Sequence, residues 1–192
     1  MYIRYCNLLN NYPNYVKKYP LSSSIKEDVK KLDSFSEQAI MLVNNHIETE
    51  DNFYFFLNDK VNELSNLKPD LILTCSYGKI IPIEIINLPK YHCVNIHPSL
   101  LPKYRGASPM QGAILNNETE TGVTFMFVTK ALDEGDILFQ EKIQMSNNET
   151  LFSLKSKVKN TIESMLEKYY DQLFDLNIKH FPQDNQKASY IS

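Results

Sequence analysis

Several things are scarce in this 192-residue chain. No run approaches the roughly 20 consecutive apolar residues that a spanning helix needs, which excludes a transmembrane helix from the reading. No signal peptide is visible at the start. Cysteine is sparse. Cys6, Cys75 and Cys93 stand without a spacing framework, so a disulfide scaffold is excluded and reduced, structural thiols are expected. Neither Cys-x-x-Cys nor His-x-x-x-His occurs. The five glycines never gather into a phosphate-cradling loop. Positive charge is also lacking, for a formal net charge of −3 and a pI near 5.8 are not the footprint of a nucleic-acid-binding domain.

What is present suits one globular core. With 43% hydrophobic and 22% charged residues the chain is long enough to bury a single domain, and residues 1–192 are read as one. Pro69-Asp70 leads into Leu71 to Cys75, a short apolar run that fits a buried parallel strand, and Cys93 to His97 fits its neighbour. Val123 to Val128 and Ile137 to Met145 read as two more strands flanking a loop rich in charge and glycine. Ala107 to Leu115 reads as a helix. Ser146 and Glu149 have the spacing of a capping box. After them Leu151, Leu154, Val158, Ile162, Leu166, Tyr169 and Leu173 recur at three- and four-residue intervals, the stripe of a long amphipathic helix. The stretch from Ser22 to Lys68, rich in Asn, Lys and Glu, reads as an insertion or a diverged surface helix pair. The class is α/β.

Chemistry concentrates in two runs. In Val94-Asn95-Ile96-His97, apolar and polar residues alternate at the end of a strand. Side chains two apart share a face, so Asn95 and His97 point together while Val94 and Ile96 pack. Asn-x-His on a strand is most often hydrogen-bonded structure, but the flanks favour a ligand site. His97-Pro98-Ser99-Leu100-Leu101-Pro102 cannot be helix or ladder, and Lys103-Tyr104-Arg105-Gly106 adds charge and a hinge. The second run, Ala131 to Ile137, supplies Asp133, Glu134 and Asp136. These acids, with His92 and His97, are potential metal ligands. On a strand, however, His92 and His97 face opposite ways, and no metal is expected.

Asn95 through Gln111, with Ser76 to Pro82, Glu120 to Thr124 and Leu132 to Leu138, resembles the folate-dependent formyltransferase family, closely over residues 69–145. Within it the likeness is greatest to the branch that formylates initiator methionyl-tRNA. The resemblance implies a Rossmann-like fold, a central mostly parallel sheet flanked by helices, with 10-formyltetrahydrofolate as co-substrate. It implies Asn95 and protonated His97 as donors to a tetrahedral oxyanion, and Asp133 as the carboxylate that holds the imidazolium and assists proton transfer. Asp136 is left to loop structure. By position, the folate would meet the backbone of Lys79, Ile81, Val128, Thr129 and Leu132, and the acceptor would meet Ser99, Lys103 and Arg105. The side chains of Ile81, Val128 and Leu132 also read as ordinary core.

Two departures bear on these expectations. No Gly-Thr-Pro-x-Phe turn appears between Met1 and Pro20, so the family's first strand and glycine turn are poorly matched or missing. Lys17-Lys18-Tyr19-Pro20 matches the family's tRNA-contacting basic loop only weakly. The chain also stops near where the catalytic domain would pass to a C-terminal β-barrel. A monomer is expected, cytoplasmic, or in an organellar matrix if the true N-terminus lies elsewhere. Three alternatives stay open: an amino-sugar formyltransferase, a glycinamide ribonucleotide formyltransferase, and a truncated non-catalytic fragment that merely binds folate.

Overall fold

A computed structural model describes strand residues 39–42 and residues 61–62, 64–77 and 80–191. In chain order the elements are β1 (Ala39–Leu42), β2 (Leu71–Cys75), α1 (Ile83–Ile86), β3 (His92–His97), β4 (Arg105–Gly106), α2 (Pro109–Leu115), β5 (Glu120–Phe127), β6 (Ile137–Gln144), α3 (Leu151–Tyr169) and β7 (Tyr190–Ile191). Residues 61–62 and 64–67 are also helical. Five strands form one sheet in the order β1-β2-β3-β5-β6. β1, β2 and β3 are parallel, while β5 pairs antiparallel with both β3 and β6, so β5 alone runs against the others. This is the expected α/β class with a mostly parallel sheet.

Strand alternation divides the core in two. Leu71, Leu73, Cys75, Val94, Ile96, Val123 and Phe125 face the buried stripe of α3, namely Leu154, Val158, Ile162 and Met165. On the opposite face Ile72 and Cys93 meet Leu64, Ile81 and Ile85. A sheet covered on both sides needs no polar alternation, and all five residues of β2 are buried. Of the polar residues of β3, Asn95 and His97 lie on the second face, near the strand's C-terminal end, while His92 opens the strand on the first.

Three expectations shift. Within the Ser22 to Lys68 region, read as an insertion or helix pair, Ala39–Leu42 is a strand paired in parallel register with Leu71 to Thr74. The second helix begins at Pro109, two residues later than expected, because proline's missing N–H costs nothing in the first turn. The capping box lies four residues beyond the expected one. Thr150 Oγ1 accepts from the Ser153 amide at 3.1 Å and Ser153 Oγ accepts from the Thr150 amide at 3.0 Å. Ser146 and Glu149 instead close a turn, the Ser146 amide donating to Glu149 Oε2 at 2.9 Å, and Glu149 also takes Lys157 at 2.5 Å.

Beyond α3 the chain turns at Tyr170–Phe174, where Leu173 is fully buried, and then returns across the sheet. Phe181 bridges Ile137, and β7 pairs with β4, Arg105 opposite Tyr190. This return has no counterpart in the sequence reading.

Candidate functional site

The site forms where the second face of β3 meets two loops, residues 98–108 and 128–136. Thr74 of β2 lies opposite Asn95, and Thr124 of β5 lies opposite His97. Thr74 Oγ1 donates to Asn95 Oδ1 at 2.8 Å, which occupies the amide oxygen and leaves Asn95 Nδ2 directed at Asp133 Oδ1, 3.5 Å away. His97, 4% exposed, sets its Nε2 at 2.8 Å from the Tyr104 carbonyl oxygen. A carbonyl only accepts, so Nε2 carries a proton, and Nδ1 faces Asp133 Oδ2 at 3.7 Å. The Gly106 amide donates to the same Oδ2 at 2.8 Å. An amide donor, an imidazole nitrogen and a backbone N–H thus converge on one carboxylate.

Both loops are pinned. Thr124 Oγ1 donates to the Ser99 carbonyl at 2.6 Å and accepts from the Leu101 amide at 3.2 Å and from Gln140 Nε2 at 2.9 Å. Asp133 sits at φ +53°, in the left-handed region that Asp tolerates better than most side chains. Gly135 follows in a turn so tight that an added Cβ would lie 1.8 Å from the Phe127 carbonyl oxygen. Asp136 lies apart from the cluster and pairs with His180 Nδ1 at 2.7 Å. His92 Nε2 meets the Asp175 carbonyl at 3.0 Å. Among the described residues no group of three or more His, Cys, Asp or Glu side chains gathers as a metal site would require.

Of the residues expected to meet the acceptor, Lys103 alone is exposed, and it pairs with Glu118 at 2.9 Å. Lys103, with the Tyr104 hydroxyl, holds the Glu118 carboxyl below its ordinary range, and burial pushes the Tyr104 phenol up to about 12. Ser99 is fully buried, its hydroxyl donating to the Lys103 carbonyl at 2.6 Å. Arg105 is likewise buried, at 1% exposure. Its Nε and Nη2 donate to Gln183 Oε1 at 3.1 and 2.8 Å, Nη2 also to Asn185 Oδ1 at 2.7 Å, and Nη1 to Tyr190 Oη at 2.8 Å, with Glu134 Oε1 3.2 Å from Nη1. A guanidinium is tolerated in such a place only when its donors are satisfied. Ser99 and Arg105 therefore build the loop from within. No signal short of the fold showed that Gln183, Asn185 and Tyr190 would supply Arg105's partners.

The residues expected to face a folate divide similarly. Ile81 is buried, and Val128 and Tyr77 pack on the same cluster as Ile81 and Cys93. Leu132 and Ile80 project, at 59% and 78% exposure, and Thr129 is exposed. The Val128 amide is taken by the Cys93 carbonyl at 2.9 Å. Lys79 lies outside the described residues, as do Cys6 and Lys17 to Pro20.

The family model described as formyl transferase matches residues 26–168. The methionyl-tRNA formyltransferase of Fusobacterium nucleatum subsp. nucleatum is 37% identical over 134 residues, which is 70% of this chain and 43% of that protein. That of Malacoplasma penetrans is 37% identical over 145 residues, 73% of this chain and 46% of the relative. The chain thus spans less than half the length of these curated relatives. Among solved structures, the sugar 3-N-formyltransferase WlaRD, crystallised in the presence of dTDP and 5-N-formyltetrahydrofolate, superposes with a TM-score of 0.62 at 26% identity. The superposition covers 80% of this chain and 58% of that one.

Proposed function

The chain belongs to the formyl transferase family, and from that premise we propose that it carries the catalytic domain of an enzyme transferring the formyl group of 10-formyltetrahydrofolate to the amino group of initiator methionyl-tRNA. The observation that carries this reading is the convergence of Asn95 Nδ2, His97 Nδ1 and the Asp133 carboxylate at separations of 3.5 and 3.7 Å. The amine nitrogen attacks the formyl carbon, the carbonyl oxygen becomes an oxyanion, and the bond to the folate nitrogen then breaks. Asn95 Nδ2 and His97, protonated at Nδ1, donate to that oxyanion. Asp133 stabilises the imidazolium and accepts the proton shed by the amine, which ends on the departing folate nitrogen. Gly106 N–H keeps one carboxylate oxygen in place, so little reorganisation is needed as charge develops.

We place the folate ring on the side of the site that carries Ile81, Val128 and Leu132, with the backbone of Ile81, Val128, Thr129 and Leu132 meeting its polar edge. Sequence relatives named methionyl-tRNA formyltransferase support the tRNA acceptor, and Lys103 is an exposed cation of the 98–108 loop that could meet it. The test presents labelled 10-formyltetrahydrofolate with initiator methionyl-tRNA, with dTDP-linked amino sugars and with glycinamide ribonucleotide. Label on methionyl-tRNA alone is expected. Label on a sugar or on the ribonucleotide would replace the acceptor assigned here, and label on none would remove the catalytic reading of this chain.

A further inference from the structure

Resting on the catalytic reading of Asp133, we propose that Gln183 is a positioning residue for the reaction. Its single side-chain amide locks the Asp133 turn to the buried Arg105, and so places the carboxylate against Asn95 and His97.

Gln183 lies beyond residues 26–168, in the segment that returns across the sheet after α3. Its Nε2 donates to the carbonyl oxygens of both Asp133 and Gly135 at 2.8 Å, and its Oε1 accepts from Arg105 Nε and Nη2. One amide therefore uses both of its ends. The NH2 group holds the two carbonyls that bracket Glu134, and the oxygen takes two donors of a guanidinium that has no water to turn to. Arg105 returns to the same turn by a second route, through Glu134 Oε1, which also accepts from Tyr190 Oη at 2.8 Å.

The turn needs such a hold. Asp133 at φ +53° is a conformation whose cost surrounding contacts must offset. Among the described residues, apart from the long approaches of Asn95 and His97, its carboxylate is fixed only by the amide of Gly106. Gly106 follows Arg105 directly, so Arg105 and Gln183 together tie the donor loop to the acceptor turn. A shift of about 1 Å in such a group can cost on the order of 100-fold in rate. An amide suits both ends, whereas a carboxylate at position 183 would keep the Arg105 contact and present an oxygen to two carbonyl oxygens.

The test uses the full chain with Gln183→Glu and Asp133→Asn, alone and combined, and Gln183→Ala as a second disruption. In formyl transfer from 10-formyltetrahydrofolate to initiator methionyl-tRNA, measured well below each variant's melting temperature, Gln183→Glu is expected to lower kcat at least tenfold with KM within twofold. In the Asp133→Asn background it is expected to lower kcat no further. Amide hydrogen exchange supplies a readout independent of turnover. The Gly106 amide is expected to exchange at least tenfold faster in Gln183→Glu. The Arg105 and Ala107 amides, which donate to Ser189 and Ile191 carbonyls, are expected to keep their protection. Unchanged Gly106 exchange would overturn the proposal, as would all three amides accelerating together or the two substitutions multiplying in kcat. Should Asp133→Asn retain full kcat, the catalytic reading fails on its own. If Asp133→Asn is impaired and Gln183→Glu is not, only the positioning role fails.

Discussion

Replacing Thr74 with Val separates orientation from chemistry at the proposed oxyanion donor. Thr74 is 1% exposed, and its hydroxyl donates to Asn95 Oδ1 at 2.8 Å, with a longer 3.4 Å approach to the Val94 carbonyl. Valine has nearly the same shape, so the perturbation is the loss of one hydrogen bond. Asn95 is half-buried, and its oxygen can recover part of the loss from water. The net cost is therefore about 1 kcal/mol. For a domain of this size that lowers the melting temperature by about 2–4 °C.

The same 1 kcal/mol bears on the rate. Asp133 only accepts, so it still favours Nδ2 facing inward, but the amide loses the partner that held its other end. A loss of about 1 kcal/mol from the competent orientation is about fivefold in population, since 1.4 kcal/mol is tenfold. Thr74→Val should then lower kcat about fivefold with KM nearly unchanged, whereas Asn95→Ala, which removes the donor, should cost about 100- to 1000-fold. The assay is steady-state formyl transfer together with a thermal melt. A Thr74→Val loss as large as that of Asn95→Ala would refute the assignment of Thr74 as an orienting group, as would no change in either rate or melting temperature.

Other expectations follow from the same geometry. Lys157, then Ser153 and the Ser146 amide, hold the Glu149 carboxyl down from 4.5 to about 2. A depressed folded-state value contributes stability above the unfolded value and loses it as pH falls, so Glu149→Gln should flatten the melting temperature's dependence on pH between 4.5 and about 2. Thr150→Ala should destabilise by about 0.5–2 kcal/mol and Ser146→Ala by less; the reverse order in chemical denaturation would return the cap to Ser146. Burial pushes the Cys93 thiol up to about 12, so iodoacetamide at pH near 8 should leave it unmodified in the folded chain and label it in denaturant. Leu154→Ala, at a fully buried position facing the sheet, should cost about 2–5 kcal/mol in denaturant unfolding.

What the sequence disclosed and what it hid divide along a physical line. The period-2 alternation from Val94 to His97 places Asn95 and His97 on one face whatever the rest of the fold does, and the structure sets them there. Leu71 to Cys75 reads as a doubly covered strand because nothing polar interrupts it except Thr74, which turns out to face Asn95. Long-range closure is where legibility stops. Arg105 in a basic turn looks like a cation awaiting a ligand, and its burial depends on Gln183, Asn185 and Tyr190, about 80 positions away. Ser99 misleads for the same reason, since its hydroxyl is spent on the Lys103 carbonyl. Ala39 to Leu42 is a short apolar run whose strand character comes from pairing with β2. Thr150 was hidden for a local reason. Its capping box uses Ser153 at the third helical position where the pattern seeks Glu or Gln, and Ser146 with Glu149 offered a better likeness four residues earlier.

The central claim is that Asn95, His97 and Asp133 form one formyl-transfer site. The most direct measurement is the transfer of labelled formyl from 10-formyltetrahydrofolate to initiator methionyl-tRNA by the unaltered chain and by His97→Ala, each first shown to melt cooperatively. The account predicts transfer that falls about 100-fold or more in the variant. Transfer by a folded His97→Ala protein at the unaltered rate would contradict it.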